Sequence, residues 1–338
     1  MLVVATHLWS AGAISWRMKF GQLGGLGVDI FFIISGFIMC YSLRDVLAPG
    51  DSVQFLKKRV YRVFPVYLIV LIPFLVEYIS SSSAAKAPID LLLAAGNIFL
   101  LPSFFGEENY RMLVGPAWTL SYELFFYILF ATAIFSSKSK NRAICMVMIF
   151  IVLMVGFVNL LGLKGERLQW SNVQYMVGDT LFFNFLIGCI CYVLWRRYKR
   201  TLFNFWTAIG SAIVLSGLAL ALDKVGLPRP ISFGLPASGI VLIFLFAEFK
   251  MRSVTKVLLF LGSASYSIYL VHALISHWKY LVIGGDVNQN DLTGFLLTAA
   301  AAAAGCIFYV AVENPISRLL HKPTSRQLRI EQPHTVAD

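Results

Sequence analysis

Long runs of apolar residues alternate with short charged or Gly- and Pro-rich breaks along almost the whole chain. Most of these runs reach the roughly 17–25 residues that an α-helix needs to cross a bilayer. The pattern therefore predicts an all-α polytopic membrane protein with about ten transmembrane helices. The candidate spans are residues 1–16, 23–43, 61–80, 115–135, 143–162, 173–195, 202–222, 231–249, 257–281 and 292–316.

One shorter apolar run, residues 88–104, differs from the others. It contains Asp90, Gly96 and Asn97, so we expect a short re-entrant or interfacial helix there. No hydrophilic stretch is long enough to form a separate domain. The expected organisation is one integral membrane domain over residues 1–320, followed by a polar cytoplasmic tail over residues 321–338.

The composition excludes several classes of protein. Apolar residues make up 58% of the 338 residues and charged residues only 13%, whereas a soluble domain carries about 25% charged residues. A soluble enzyme and a disordered chain are therefore excluded. The five cysteines lie within or beside apolar runs and form no C-x-x-C pair. We interpret them as ordinary core residues rather than as a disulfide framework or a metal site.

Basic residues predict the orientation of the helices. Of the 28 Lys and Arg residues, 19 fall in one alternate set of loops and the C-terminal tail. The positive-inside rule then places both termini in the cytoplasm. The net charge of +11 lies mostly on that face, where it would meet anionic lipid headgroups. Because the basic clusters directly flank the spans, we interpret them as topology signals and expect no binding of nucleic acid.

Four ionisable residues on four different predicted helices lie at a similar depth. Counted from the outer ends of their spans, at 1.5 Å per residue, His7 and His272 are each about 13 Å deep, Glu123 about 12 Å and Asp29 about 9 Å. Placing a charge inside the bilayer costs about 2.5–3.5 kcal/mol, so each of these four residues needs a structural or functional explanation. Asp29 could instead cap a helix start, and His272 could be a core histidine. Glu313 lies near the cytoplasmic end and fits a capping role.

Several familiar catalytic signatures are absent from the sequence. There is no G-x-S-x-G, P-loop or H-E-x-x-H motif. Neither His7 nor His272 begins an H-x4-D box. His272 and His277 are about 140° apart on a helix, which suits a shared metal poorly, so we predict no metal site.

Taken in order, six segments of the chain match a known pattern. They are V-V-A-T-H-L-W at 3–9, which contains His7, G-V-D-I-F-F-I-I-S-G-F-I at 27–38, K-R-V-Y-R-V-F-P-V-Y at 58–67, W-T-L-S-Y-E-L-F-F-Y at 118–127, S-Y-S-I-Y-L-V-H at 265–272 and V-E-N-P at 312–315. This series resembles the membrane acyltransferase 3 family over nearly the whole chain. Its first half is similar to the bacterial exopolysaccharide-production branch.

The resemblance implies an O-acyltransferase of the cytoplasmic (inner) membrane. It would transfer an acyl group, commonly acetyl, from acyl-CoA as donor substrate, without a permanently bound cofactor. The acceptor would be a hydroxyl of a surface or exported glycan or of its lipid-linked precursor. Family members usually carry a basic residue eleven positions before the first-helix His. Here that position would precede Met1, so we expect a truncated first helix or a start further upstream.

The resemblance also suggests roles for individual residues. His7 is the expected base, because histidine has a suitable unperturbed pKa near 6.5, and Glu123 or Asp29 would orient it or the glycan. Arg59 and Arg62 match the family's R-x-x-R and would hold the CoA phosphates, although both could simply flank a span. The residues expected to line the acceptor site lie in the matching motifs; they are Ser35, Trp118, Tyr122 and His272.

Two other functions fit the same pattern of buried charges. A transporter or flippase of a lipid-linked glycan would use the charges to line a conduit. A multipass acyltransferase of the other class would modify lipids or proteins from a membrane histidine. A requirement for CoA and an ester product would exclude the transporter, and the identity of the product would separate the two acyltransferase classes.

Overall fold

The computed structural model describes residues 1–9, 14, 20–84, 88–104, 110–167, 172–198, 201–248, 252–283 and 290–320. The predicted polar tail, 321–338, lies outside the described residues, as does most of the second half of the first predicted span. The fold is a bundle of α-helices. They are α1 Leu2–Leu8, α2 Phe20–Ser42, α3 Pro49–Ala84, α4 Leu91–Phe99, α5 Trp118–Phe135, α6 Lys140–Leu160, α7 Val173–Val177, α8 Phe182–Tyr198, α9 Phe205–Lys224, α10 Leu235–Leu245, α11 Arg252–Ser263, α12 Ser265–Ile283, α13 Asp291–Phe308 and α14 Asn314–Leu320.

Five short elements complete the described fold, among them a 3-10 turn at Gly115–Ala117 just before α5. A parallel pair of two-residue strands, β1 Phe203–Asn204 and β2 Ala247–Glu248, joins the start of α9 to the end of α10. Two π-helical turns, Pro230–Gly234 and Tyr309–Glu313, precede α10 and α14. Such π turns inside helices are often found at functional sites.

The helices agree with an all-α multi-pass membrane protein. Among the described residues, six helical segments are long and apolar enough to cross a bilayer, and a bent pair of helices makes a seventh if it forms one span. The count of ten and the placement of the termini stay predictions. Helix α4 has nine residues and is therefore about 14 Å long, too short to cross, which agrees with the expectation for residues 88–104. By contrast, α3 has 36 residues and extends well beyond the thickness of the hydrocarbon core.

Helices α2 and α8 cross at a point where two glycines bring their backbones together. A Cβ atom built on Gly36 would lie 2.2 Å from the carbonyl oxygen of Phe185, and one built on Gly188 would lie 2.1 Å from that of Ile33. Small residues at helix crossings allow this close approach in membrane proteins. The contact fixes α2, which carries Asp29 and Ser35, against α8.

The predicted span 257–281 is in fact two helices. Helices α11 and α12 meet at an angle of 61°. Serine hydroxyls at the junction donate hydrogen bonds to carbonyls of the preceding turn, from Ser263 to Leu259 and from Ser265 to Gly262, an arrangement that often bends helices. Helix α12 begins at Ser265, and His272 lies about 10 Å along it.

Three loops that the basic residues assign to the same side do meet in space. Arg196 and Lys140 contact the Asp45 carboxylate at 3.1 and 3.8 Å. Val46 forms a β-bridge with Ser139. The loops after α2, α5 and α8 thus lie at one end of the bundle, as the alternation of basic loops predicts.

Candidate functional site

The two intramembrane histidines form a hydrogen-bonded pair. His7 on α1 and His272 on α12 approach with Nδ1 of His7 3.0 Å from Nε2 of His272. Their rings are nearly parallel, with centroids 5.2 Å apart. His272 is fully buried, whereas His7 is exposed on its other side. His7 and His272, which the sequence places at a similar depth, are therefore in direct contact.

Two residues that the sequence analysis gave no role lie next to this pair. The ring of Tyr269 is 5.6 Å from that of His272, and its hydroxyl is 2.8 Å from Thr119 Oγ1. Lys279 is buried and donates a hydrogen bond from Nζ to the carbonyl oxygen of His7 at 3.3 Å. The spacing could have revealed both, because positions three and seven residues from His272 fall on the same helical face.

Glu123 lies on α5 among polar groups and near the arginines of α3. Its Oε1 accepts hydrogen bonds from the hydroxyl of Tyr127 at 2.6 Å and of Ser35 at 3.4 Å. Arg59 and Arg62 are close enough to interact electrostatically with the carboxylate. Two residues assigned separately from the sequence, Ser35 and Glu123, therefore meet. Their described hydrogen bonds do not include either histidine.

A basic cavity of about 460 Å³ opens between α3 and the C-terminal helices. Arg59 is buried beside it, where its guanidinium donates to Ser42 Oγ at 2.7 Å and lies over the rings of Phe55 and Tyr127. Arg62 also lines the cavity and is exposed to it. The remaining charged residues of the wall are Arg44, Lys58, Asp51 and Glu313. The sequence analysis treated most of them as topology signals or caps.

The π turn before α14 connects the cavity to α12. Glu313, at the end of that turn, accepts a hydrogen bond from the hydroxyl of Ser267. The neighbouring Tyr266 donates to the carbonyl oxygen of Val63 on α3 at 2.8 Å. Tyr266, Tyr269 and His272 are spaced by three residues and share one face of α12. About 9 Å of helix separates the first of them from the histidine pair.

Asp29 has partners elsewhere in the bundle. Its fully buried carboxylate forms an ion pair with Arg229 at 2.8 Å and accepts from Asn184 Nδ2 at 2.6 Å. Arg229 directly precedes the first π turn, so this ion pair ties α2, α8 and α10 together. Asp29 makes no hydrogen bond to His7 or His272 among the described contacts. The structure therefore does not bring together all four ionisable residues of similar depth.

The predicted acceptor residues Trp118 and Tyr122 lie at the start of α5. Their rings are 5.6 Å apart, and both pack against Phe32 of α2. Tyr122 is fully buried and donates to Asp179 Oδ2 at 2.9 Å. Within the described ranges, no three His, Cys, Asp or Glu side chains come close enough together to hold a metal ion.

The apolar helices define a multi-pass membrane protein, and the histidine pair places a polar site in its helix bundle. Residues 1–311 match the acyltransferase 3 family, described as an acyltransferase domain, and the chain belongs to this family. The protein is therefore an enzyme that transfers acyl groups.

Several named proteins are similar to this chain at low identity. Acyltransferase MdmB of Streptomyces mycarofaciens is 25% identical, with 88% of this chain and 82% of that protein covered. Exopolysaccharide production protein ExoZ of Rhizobium meliloti is 27% identical, with 88% and 90% covered. O-acetyltransferase OatA of Staphylococcus aureus is 25% identical, with 91% of this chain but 55% of that longer protein covered. No solved structure shows a significant match.

Proposed function

We propose that the protein is an O-acyltransferase of the cytoplasmic membrane that moves acetyl from acetyl-CoA onto a hydroxyl of an exopolysaccharide, another surface glycan or a lipid-linked precursor. The observation that carries this proposal is the histidine pair. His7 presents an exposed imidazole that is hydrogen-bonded on its other edge to the fully buried His272. An imidazole held in this way has the properties of a general base.

The donor binds with its charged end in the basic cavity. Arginine suits phosphate because its guanidinium donates several charge-assisted hydrogen bonds. Arg62 is exposed to the cavity and can contact the CoA phosphates directly. Arg59 is held by Ser42 and by the ring of Phe55, so its contribution is a fixed positive charge. The thioester extends from the cavity along the face of α12 toward the histidines.

The reaction transfers one acyl group and one proton. His7 removes the proton from the acceptor hydroxyl as the oxygen attacks the thioester carbonyl. A carbon–oxygen bond forms, the carbon–sulfur bond breaks, and the proton passes from His7 to the departing CoA thiolate. Substrate hydroxyl and thioester are thereby converted to an ester and a free thiol, with no change in oxidation state.

The acceptor is proposed from the names of the relatives. One similar protein is an exopolysaccharide production protein and another is an O-acetyltransferase. A glycan hydroxyl fits both descriptions and fits the base chemistry of His7. Trp118 is partly exposed and stays a proposed acceptor contact, whereas Ser35, Tyr122 and His272 are buried and would shape the acceptor site from behind it.

Labelled acetyl-CoA tests the proposal. Membranes from cells with and without the gene are incubated with acetyl-CoA that is isotopically labelled in the acetyl group, and the host glycans are analysed by mass spectrometry. We expect labelled O-acetyl esters that depend on the gene and are released by mild base. Glycans that carry no label in either sample, or label incorporated equally in both, would refute the proposed activity.

A further inference from the structure

The last turn of α1 carries His7, and the backbone of this residue has a partner on α12. The last carbonyl oxygens of a helix find no N–H donor within that helix. The carbonyl oxygen of His7 accepts a hydrogen bond from Nζ of Lys279 at 3.3 Å. A positive charge at this end of a helix is favourable, because the C-terminus carries a partial negative charge. His7 is therefore held at two points, the backbone by Lys279 and the imidazole by His272.

Lys279 keeps its ammonium inside the helix bundle. Only 8% of the residue is exposed, although it lies near the end of α12, Ser265–Ile283. A lysine near the end of a membrane helix usually extends its amine to the aqueous interface, because burying the charge is costly. Lys279 turns to the carbonyl of His7 instead. The cost of this buried charge calls for a structural or functional explanation.

Helix α1 is attached to the bundle without this lysine. Its buried apolar residues pack against α12 and α13. The indole of Trp9 donates to the Asp291 carboxylate at 2.9 Å. Its ring packs on Gly294, where a Cβ atom would lie 2.3 Å from Cδ1 of Trp9. Lys279 therefore adds little to the anchoring of α1 as a whole, and what it adds is a constraint on His7 itself.

We propose that Lys279 is a positioning residue for the base: it fixes the backbone of His7 while His272 fixes the ring, so that the exposed edge of the imidazole keeps one place and one angle. This inference rests on the proposed function for its effect on turnover, whereas the two attachments belong to the resting protein. A general base must come within about 2.6–3.2 Å of the atom whose proton it removes. A misplacement of about 1 Å can lower the rate by about 10²-fold.

Two substitutions of Lys279 test the effect on turnover. Methionine has an unbranched side chain of similar length but donates no hydrogen bond, whereas arginine keeps both a donor and the positive charge. We expect Lys279→Met to lower kcat by about 10–10²-fold with little change in KM for acyl-CoA, and Lys279→Arg to turn over faster than Lys279→Met. Lys224→Met, at an exposed lysine that ends α9, is the matched control and should behave like the wild type.

Chemical modification of His7 tests its attachment in the resting protein. Membranes that contain the protein are treated with diethyl pyrocarbonate, which acylates accessible imidazoles. Trypsin then releases residues 1–17, because Arg17 is the first Lys or Arg in the sequence, and His7 is the one histidine of this peptide. Mass spectrometry follows its modification with time. We expect His7 to react several-fold faster in Lys279→Met than in the wild type or in Lys224→Met, because a released backbone lets the ring leave His272.

The outcomes separate this inference from the proposed function. If the wild-type protein transfers no acetyl but His7 reacts faster in Lys279→Met, the proposed activity fails while the attachment of His7 stands. If His7 reacts at the wild-type rate in Lys279→Met, or if this variant turns over like the wild type, the positioning role is wrong. A Lys279→Arg variant as slow as Lys279→Met would contradict the hydrogen bond as the cause. Failure of Lys279→Met to accumulate in membranes would also overturn the proposal, because Lys279 would then be a structural anchor of α1.

Discussion

Replacing His7 by glutamine separates a catalytic base from a structural polar residue. Glutamine keeps hydrogen-bonding capacity and a similar size but does not titrate. His272 cannot replace the lost base, because it is fully buried behind His7. We therefore expect the full contribution of a general base to be lost, about 10²–10⁴-fold in kcat. This loss corresponds to about 2.7–5.5 kcal/mol of transition-state stabilisation at 1.36 kcal/mol per tenfold. The KM for acyl-CoA should change little, since the basic cavity lies beyond Tyr266, at the opposite end from His272 of the α12 face that carries both residues.

The assay compares variants at equal abundance in membranes, measured by immunoblot, with labelled acetyl-CoA between pH 6 and 8. His277→Gln is the matched control, because His277 lies on α12 in an exposed hydrogen bond with Glu77, 2.8 Å away, and has no proposed role. Exchanging one polar side chain for another of similar size should not impair insertion. If His7→Gln acetylates at the wild-type rate over this whole pH range, His7 is structural and the proposed mechanism is refuted.

Three further predictions concern the donor site, the topology and the packing. Arg59→Ala and Arg62→Ala should each raise the apparent KM for acyl-CoA by about tenfold with a smaller effect on kcat; variants that bind CoA as tightly as wild type would contradict the phosphate role. A reporter fused after Ser137 should be cytoplasmic, and an external signal would refute the orientation. Gly36→Ala should lower the Tm in detergent, equivalent to about 1–3 kcal/mol, because its Cβ would overlap the backbone of α8. Gly156→Ala, which has open space around it, should not.

The common level of the two histidines along the bundle could be predicted from the sequence, but the direction of a side chain around its helix axis could not. Counting residues from the ends of the spans places His7 and His272 at the same level, and they meet. Glu123 and Asp29 lie at a similar predicted level but face other helices, where they contact Tyr127 and Arg229. Hydropathy carries little information on rotation in helices that are apolar on all sides, so the neighbours of a polar residue follow only from the packing.

Breaks inside continuous apolar runs could not be predicted from the sequence either. Residues 257–281 read as one uninterrupted span, and the hydroxyls that bend it at Ser263 and Ser265 belong to small residues with little effect on mean hydropathy. Hydropathy does not reveal the π turn at Tyr309–Glu313 either. Asn314 donates its N–H to the carbonyl of Tyr309, five residues earlier, next to Pro315, which has no N–H to offer. These local hydrogen bonds place Glu313 at the cavity rather than at a simple helix cap.

The cavity and the histidine pair are separate regions of the bundle. This separation affects how donor affinity and turnover depend on different residues of the proposed enzyme. Contacts to the CoA phosphates act far from the reacting carbonyl, so they contribute about equally to the ground state and the transition state. In the proposed mechanism His7 takes the proton that moves, so it contributes to turnover. Because about 9 Å of α12 separates the two regions, we expect substitutions of the arginines to change the affinity for the donor more than the turnover by His7.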